Sequence, residues 1–263
     1  MELNIKEAQE IQTKILGIIA DVCDKHSITY SLCGGSLLGA VRHGGPVPWH
    51  RDTDLIVPEN EIRKLLEYLE DELKPEYSID SHMLDKNSLQ LFPKITLSGY
   101  DSLTFHVDLF RLIGFPDDRK KQNRIYFQAK IIRLILKVKR MRSLRVSEKR
   151  LFKRVLISLL KILLSIIPND LLLDSYEKLC SKYPYSEAPF AGYLGGKHGI
   201  RNMFKREVFD DFITVDYDGI PVRIIKEHDC YLKQVFGDYE TPPSIEEQEA
   251  AINKVYYLFE KKK

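Results

Sequence analysis

The chain has 263 residues, with 40 Lys and Arg against 38 Asp and Glu, and is long enough to bury a substantial core. Ordinary apolar content (44%), 14 glycines, 12 prolines and a net charge of +2 exclude a disordered, collagen-like or disulfide-scaffold protein, and bulk composition singles out no partner. The four cysteines, Cys23, Cys33, Cys180 and Cys230, form no CxxC pair and no zinc-finger spacing, so they are expected to be reduced thiols of a cytosolic protein.

From Ile5 to His26 apolar residues recur at helical spacing, among them Ile11, Ile15, Ile18 and Val22; acidic residues and glutamines interrupt the basic start and apolar core that a signal peptide needs. Ile28 to Leu32 reads as a short strand, Gly34-Gly35-Ser36 as a turn, and Leu37 to His43 as a brief helix stopped by Gly44-Gly45. Asp52 to Val57 alternates like a strand, and Glu59 to Lys74 is a charged amphipathic helix. Leu89 to Leu97 and Leu103 to Leu112 read as strands joined in a hairpin near Ser98-Gly99.

The composition then shifts. Arg119 to Lys161 holds 16 Lys or Arg against one acidic residue, Glu148, on a helical background with helices expected at Ile125 to Met141 and Leu151 to Ile167. The run VLISLLKILLSII contains Lys161 and is shorter than the roughly 20 residues that cross a bilayer. Three readings stay open for this segment: a helical subdomain with a solvated basic face, a helix pair facing anionic lipid, or a nucleic-acid surface. A helix from Leu171 to about Tyr183, a glycine-rich loop at Gly192 to Gly199 and a hairpin through Asp218-Gly219 come next. Helices at Glu227 to Phe236 and Ile245 to Glu260 close the chain.

The expected class is α/β, more narrowly α+β. The expected organisation is a core over residues 1–116, a basic amphipathic helical insert over 117–185, and a C-terminal α/β part over 186–263 that completes the core.

Three features carry chemistry. Asp52 and Asp54, two apart on a strand, project from one face about 7 Å apart at Cα. That is a suitable bite for one or two hard cations. Like charges so close call for a bound Mg²⁺ or for bases such as Arg42 and Arg51. Gly34, Gly35 and Ser36 stand between a strand and a helix start, where backbone N–H groups and a hydroxyl can approach a phosphate. Asp108 lies in the apolar strand HVDLF, an expensive place for a carboxylate unless it joins a metal site.

The sequence GGS, then GAVRH, then PW with Asp-x-Asp, then an apolar strand with one Asp, resembles the LicD family of phosphotransferases. These are relatives of fukutin and the fukutin-related protein in the nucleotidyltransferase superfamily. The segments EIQTKILGIIADVCDKHSITY, FPKITL and YLKQVFGDYETPP extend the likeness over most of the chain outside the basic insert. The resemblance implies a nucleotidyltransferase-like fold in which Gly34, Gly35 and Ser36 hold the donor's phosphates. Asp52, Asp54 and Asp108 would coordinate Mg²⁺, with Mn²⁺ as the alternative, and Asp108 would take the proton of the attacking hydroxyl. Arg42 and Lys94 become phosphate contacts, with surface ion pairs as the other reading. Trp49 either lines the pocket or belongs to the core. His198 and Lys197 are read as solvated loop residues rather than contacts.

The implied reaction moves a phospho-alcohol, foremost phosphocholine from CDP-choline, to a lipid-linked glycan precursor. It would take place at the inner face of the cytoplasmic membrane, with helices 119–167 touching anionic lipid and no nucleic acid bound. A nucleotidyltransferase acting on RNA or protein, and a non-catalytic scaffold, are the rival readings. The chain departs from the family's usual acidic run after the tryptophan by placing His50 and Arg51 there.

Overall fold

The computed structural model describes residues 4–73, 75–100, 105–140 and 151–256. It is a mixed α+β fold, a curled sheet with flanking helices. Helix α1 (Ile5–Lys25) opens with a capping box: Asn4 accepts from the Glu7 amide while the Glu7 carboxylate accepts from the Asn4 amide. Its buried stripe of Ile15, Leu16 and Ile19 packs in the main core, together with Leu65 and Leu69 of α3 (Glu59–Glu72).

The main sheet runs β1 (Ser31–Leu32), β2 (Asp52–Pro58), β5 (His106–Phe115), β4 (Lys94–Leu97), β3 (Tyr77–Asp80). Strands β2 and β5 are parallel and the other neighbours antiparallel. The far end of β5 also pairs with β6 (Phe190–Gly192), which pairs with β7 (Met203–Lys205). A separate hairpin, β8 (Phe212–Tyr217) and β9 (Ile220–Ile225), turns at Asp218-Gly219, both with positive φ.

Several elements differ from the sequence expectation. The Gly34-Gly35-Ser36 segment is not a turn ahead of a helix; it is the first turn of α2 (Gly34–His43), because Cys33 takes the extended N-cap conformation and Gly34 absorbs the bend with φ +53°. The strand expected from Leu89 starts only at Lys94. Pro93 has no N–H to give a ladder, though its carbonyl accepts from the Leu109 amide. Strand β1 is shorter than expected, and β3, β6 and β7 have two apolar positions each, too few for periodicity to reveal. The expected strand residues Leu103 and Thr104 and the end of the last helix beyond Tyr256 lie outside the described residues.

The basic segment forms α4 (Arg119–Arg140) and α5 (Leu151–Ser165), followed by α6 (Asn169–Cys180). Residues 141–150, with Arg142 and Arg145 among them, lie outside the described residues. One face of α4, Ile125, Ala129, Ile132 and Leu136, packs with Leu172, Leu173 and Tyr176 of α6 and with Ile113 and Phe115 of β5 in a second core. The chain closes with α7 (His228–Phe236) and α8 (Ile245–Tyr256). All four cysteines are free thiols, and only Cys230 is exposed.

Candidate active site

The parallel register of β2 and β5 sets Asp52 beside His106 and Asp54 beside Asp108. The antiparallel register of β4 sets Lys94 against Asp108 on the other side. Three carboxylates and an imidazole therefore converge where the two parallel strands begin. Directly opposed like charges on neighbouring strands are unfavourable. Lys94 offsets them: its ammonium donates to Asp108 Oδ1 at 2.5 Å, and both side chains are only 7% exposed. Lys94 thus makes a buried ion pair rather than a surface one.

Electrostatics separates the three acids. Burial opposes ionisation of Asp108, but His106 and then Lys94 outweigh it and bring the carboxyl down to about 2. Asp52 is likewise lowered against its burial, by His50 and then His106. Asp54 is pushed well above the usual carboxylate range, by burial first and then by Asp52 and Asp108. Charge of this density is what a divalent cation would relieve. One donor atom each from Asp52, His106 and Asp108 lies within 4.8 Å of the others. The Nδ1 atom of His106 is buried with no hydrogen-bond partner. The donor set, two carboxylates and an imidazole with Asp54 alongside, fits a divalent metal.

His106 was absent from the sequence reading, although the period-two argument that joined Asp52 to Asp54 joins it equally to Asp108. His50 also enters: its Nδ1 is 3.1 Å from Asp52 Oδ1. The ring lies against Gly35, where a Cβ would come within 2.5 Å of it, so the absent side chain makes room for His50.

The expected phosphate cradle is partly occupied by the protein itself. The Gly34 amide donates to the Tyr231 hydroxyl at 3.1 Å, and that hydroxyl lies 3.0 Å from the Tyr193 hydroxyl. Ser36 is buried, and its hydroxyl accepts from the Asp54 amide at 2.8 Å, locking α2 to β2. Gly34 and Gly35 still border the cavity. Arg42 donates to the Tyr239 carbonyl at 2.6 Å and sits over the Trp49 ring, at the cavity rim.

The cavity, about 780 Å³, opens onto all three aspartates and His106. Trp49, Phe92, Phe110, Tyr193, Phe236 and Tyr239 line it, as do Lys197 and His198, in place of the solvated loop positions expected for them. Phe236 and Tyr239 come from YLKQVFGDYETPP, so that closing segment builds one wall and, through Tyr231, props Gly34.

The family model described as LicD/FKTN/FKRP, nucleotidyltransferase domain, matches residues 27–144, which hold Asp52, Asp54 and Asp108. Over those residues this chain is similar to the LicD family. It is similar to the lipopolysaccharide cholinephosphotransferase LicD of Haemophilus influenzae (strain ATCC 51907 / DSM 11121 / KW20 / Rd), with 24% identity over 268 residues, covering 98% of this chain and 99% of that protein. The LicD match extends to residue 144 and so takes in α4 as well as strands β1 to β5.

Proposed function

We propose that this phosphotransferase moves a phospho-alcohol group, phosphocholine from CDP-choline foremost, to a sugar hydroxyl of a cell-surface glycan precursor such as a teichoic acid, capsule or lipopolysaccharide unit. The observation that carries the reading is the convergence of Asp52, Asp54, His106 and Asp108 on one large cavity, in a chain alignable end to end with a cholinephosphotransferase. Six aromatic side chains around that cavity suit a quaternary ammonium, which is held by ring faces rather than by hydrogen bonds.

Asp52, His106 and Asp108 would hold Mg²⁺ or Mn²⁺, with Asp54 beside them. Such an ion, when bound, supplies charge neutralisation for the donor's diphosphate. The rest falls to the chain. The aromatic walls and the Arg42 rim orient the donor, and Lys94 and Lys197 add positive charge. Asp108 takes the proton as the sugar oxygen bonds to the alcohol-bearing phosphorus and the bridging P–O bond breaks, releasing CMP.

Thermal shift with Mg²⁺ tests the donor. Of CDP-choline, CDP-ethanolamine, CDP-glycerol and CDP-ribitol, CDP-choline is expected to raise Tm most, with about 2.7 kcal/mol of stabilisation at a hundredfold excess over Kd. A shift with CTP or ATP and none with any CDP-alcohol would favour nucleotide transfer instead.

We also propose that the insert rests on an anionic membrane, the place where a lipid-linked acceptor resides. Among the described residues no helix is long and apolar enough to cross a bilayer. Yet Leu159, Ile162, Leu163 and Ile166 of the α5 region are exposed beside a segment rich in Lys and Arg. Ile162→Glu with Leu163→Glu is expected to cut sedimentation with phosphatidylglycerol vesicles at least tenfold. Equal binding by the variant would leave α5 without a lipid role.

A further inference from the structure

A second groove of about 570 Å³ runs along α4 and opens into the catalytic cavity; the two share Phe92, Arg133, Lys137 and Lys197 among their walls. Lys130, Arg133 and Lys137 fall at i, i+3 and i+7 on α4, hence on one face, and span roughly 10 Å of helix. Lys197 faces them from the loop after β6. Among the described residues no Asp or Glu lines this groove, and none forms an ion pair with any of these four side chains. Arg133 instead donates to the carbonyls of Leu194 and Gly196, which ties the loop to the helix and leaves its positive charge in place. Lys197 also lines the cavity that holds Asp52, Asp54 and Asp108, so the positive track reaches the carboxylates.

Like charges at i, i+3 and i+4 spacing repel, and a solvated helix face ordinarily interleaves acids to relieve this. Here the cations are gathered into a concave wall that ends at the reaction centre. Apolar Phe127 and Leu134 flank them, giving a sugar ring or an alkyl chain something to lie on. We propose that this groove binds the phosphate-bearing part of the glycan acceptor and lays its hydroxyl toward Asp52, Asp54 and Asp108. The inference rests on the phosphotransferase reading of the cavity and extends it to the acceptor, which is a phosphorylated, anionic glycan. The phosphate belongs either to the glycan itself or to the diphosphate of a lipid carrier.

The test compares one disaccharide in three forms: neutral, bearing a phosphate monoester, and joined through a diphosphate to a short isoprenyl chain. Wild type is expected to show a lower KM for a phosphorylated form than for the neutral one. Lys130→Gln is expected to raise that KM about fivefold while the neutral acceptor's KM and the calorimetric Kd of CDP-choline stay as in wild type. Preference for the monoester assigns the groove to glycan phosphate; preference for the diphosphate assigns it to the carrier. Equal KM values for all three forms in wild type, or a variant that weakens every acceptor alike, would overturn the proposal. Calorimetry of the phosphorylated forms without donor separates the two readings. Binding that weakens in the variant, in a protein that uses no CDP-alcohol, would sink the donor reading and keep the groove.

Discussion

Asp108→Asn is expected to lower kcat for transfer by about 10³ or more, the scale that a charge-stabilising group commands in phosphoryl transfer. The residue faces Asp54 across the parallel pair and Lys94 across the antiparallel one, so it is the junction of the site. The same change also strands the Lys94 ammonium, which is 7% exposed and has Asp108 as its carboxylate partner. Breaking a buried pair from one side costs roughly 3 kcal/mol or more, whereas removing both charges together is close to neutral. The single variant should therefore be both inactive and less stable. Asp108→Asn combined with Lys94→Met should regain most of the stability and none of the activity. Chemical denaturation and a transfer assay on the two variants separate the effects. A folded Asp108→Asn protein that keeps a tenth of wild-type kcat would remove Asp108 from the reaction.

The parts of this site that could be read from the sequence follow a pattern. Asp52 and Asp54 were legible because a strand repeats every two residues, and Asp108 because a carboxylate within HVDLF is costly to bury unpaired. His106 was equally available to the first argument. What could not be read is the register between strands. That Lys94 lands on Asp108 depends on a connection of eight residues between β4 and β5, whose length does not determine the pairing. The Gly34 amide finds its acceptor in Tyr231, 197 positions away, so a segment that looks like an open phosphate turn is in part a docking point. The basic insert was visible as composition, but which face of α4 would turn inward depends on α6 and the end of β5. Only with that face buried do Lys130, Arg133 and Lys137 become a groove wall rather than a solvated stripe.

The contact that holds α6 to the sheet leads to the second large expected effect, on stability. Arg111 of β5, 3% exposed at its side chain, donates from both terminal nitrogens to Glu177 of α6 at 2.6 and 2.8 Å, and His82 Nε2 lies 2.5 Å from the same carboxylate. Burial opposes ionisation of Glu177, but the bonds from His82 and Arg111 prevail and hold its carboxyl at about 2, against 4.5 for a free glutamate. A group whose folded pKa is depressed stabilises the fold at pH above its unfolded value and loses that contribution as the pH falls toward the folded one. The window is therefore pH 4.5 down to about 2. With a third of the Glu177 side chain in solvent, the pH-dependent part is about 2 kcal/mol rather than the full value of the shift. Glu177→Gln should cost roughly 2–4 kcal/mol at pH 7, because among the described residues Glu59, 3.5 Å away, is then the remaining carboxylate paired with Arg111. Urea denaturation at pH 7 and pH 3 reads the sign. The gap between wild type and variant should narrow at pH 3, since wild type alone gives up the Glu177 contribution there. A gap that stays constant across that range would mean that α6 is held by its apolar face, and that the Arg111 pair only sets its register.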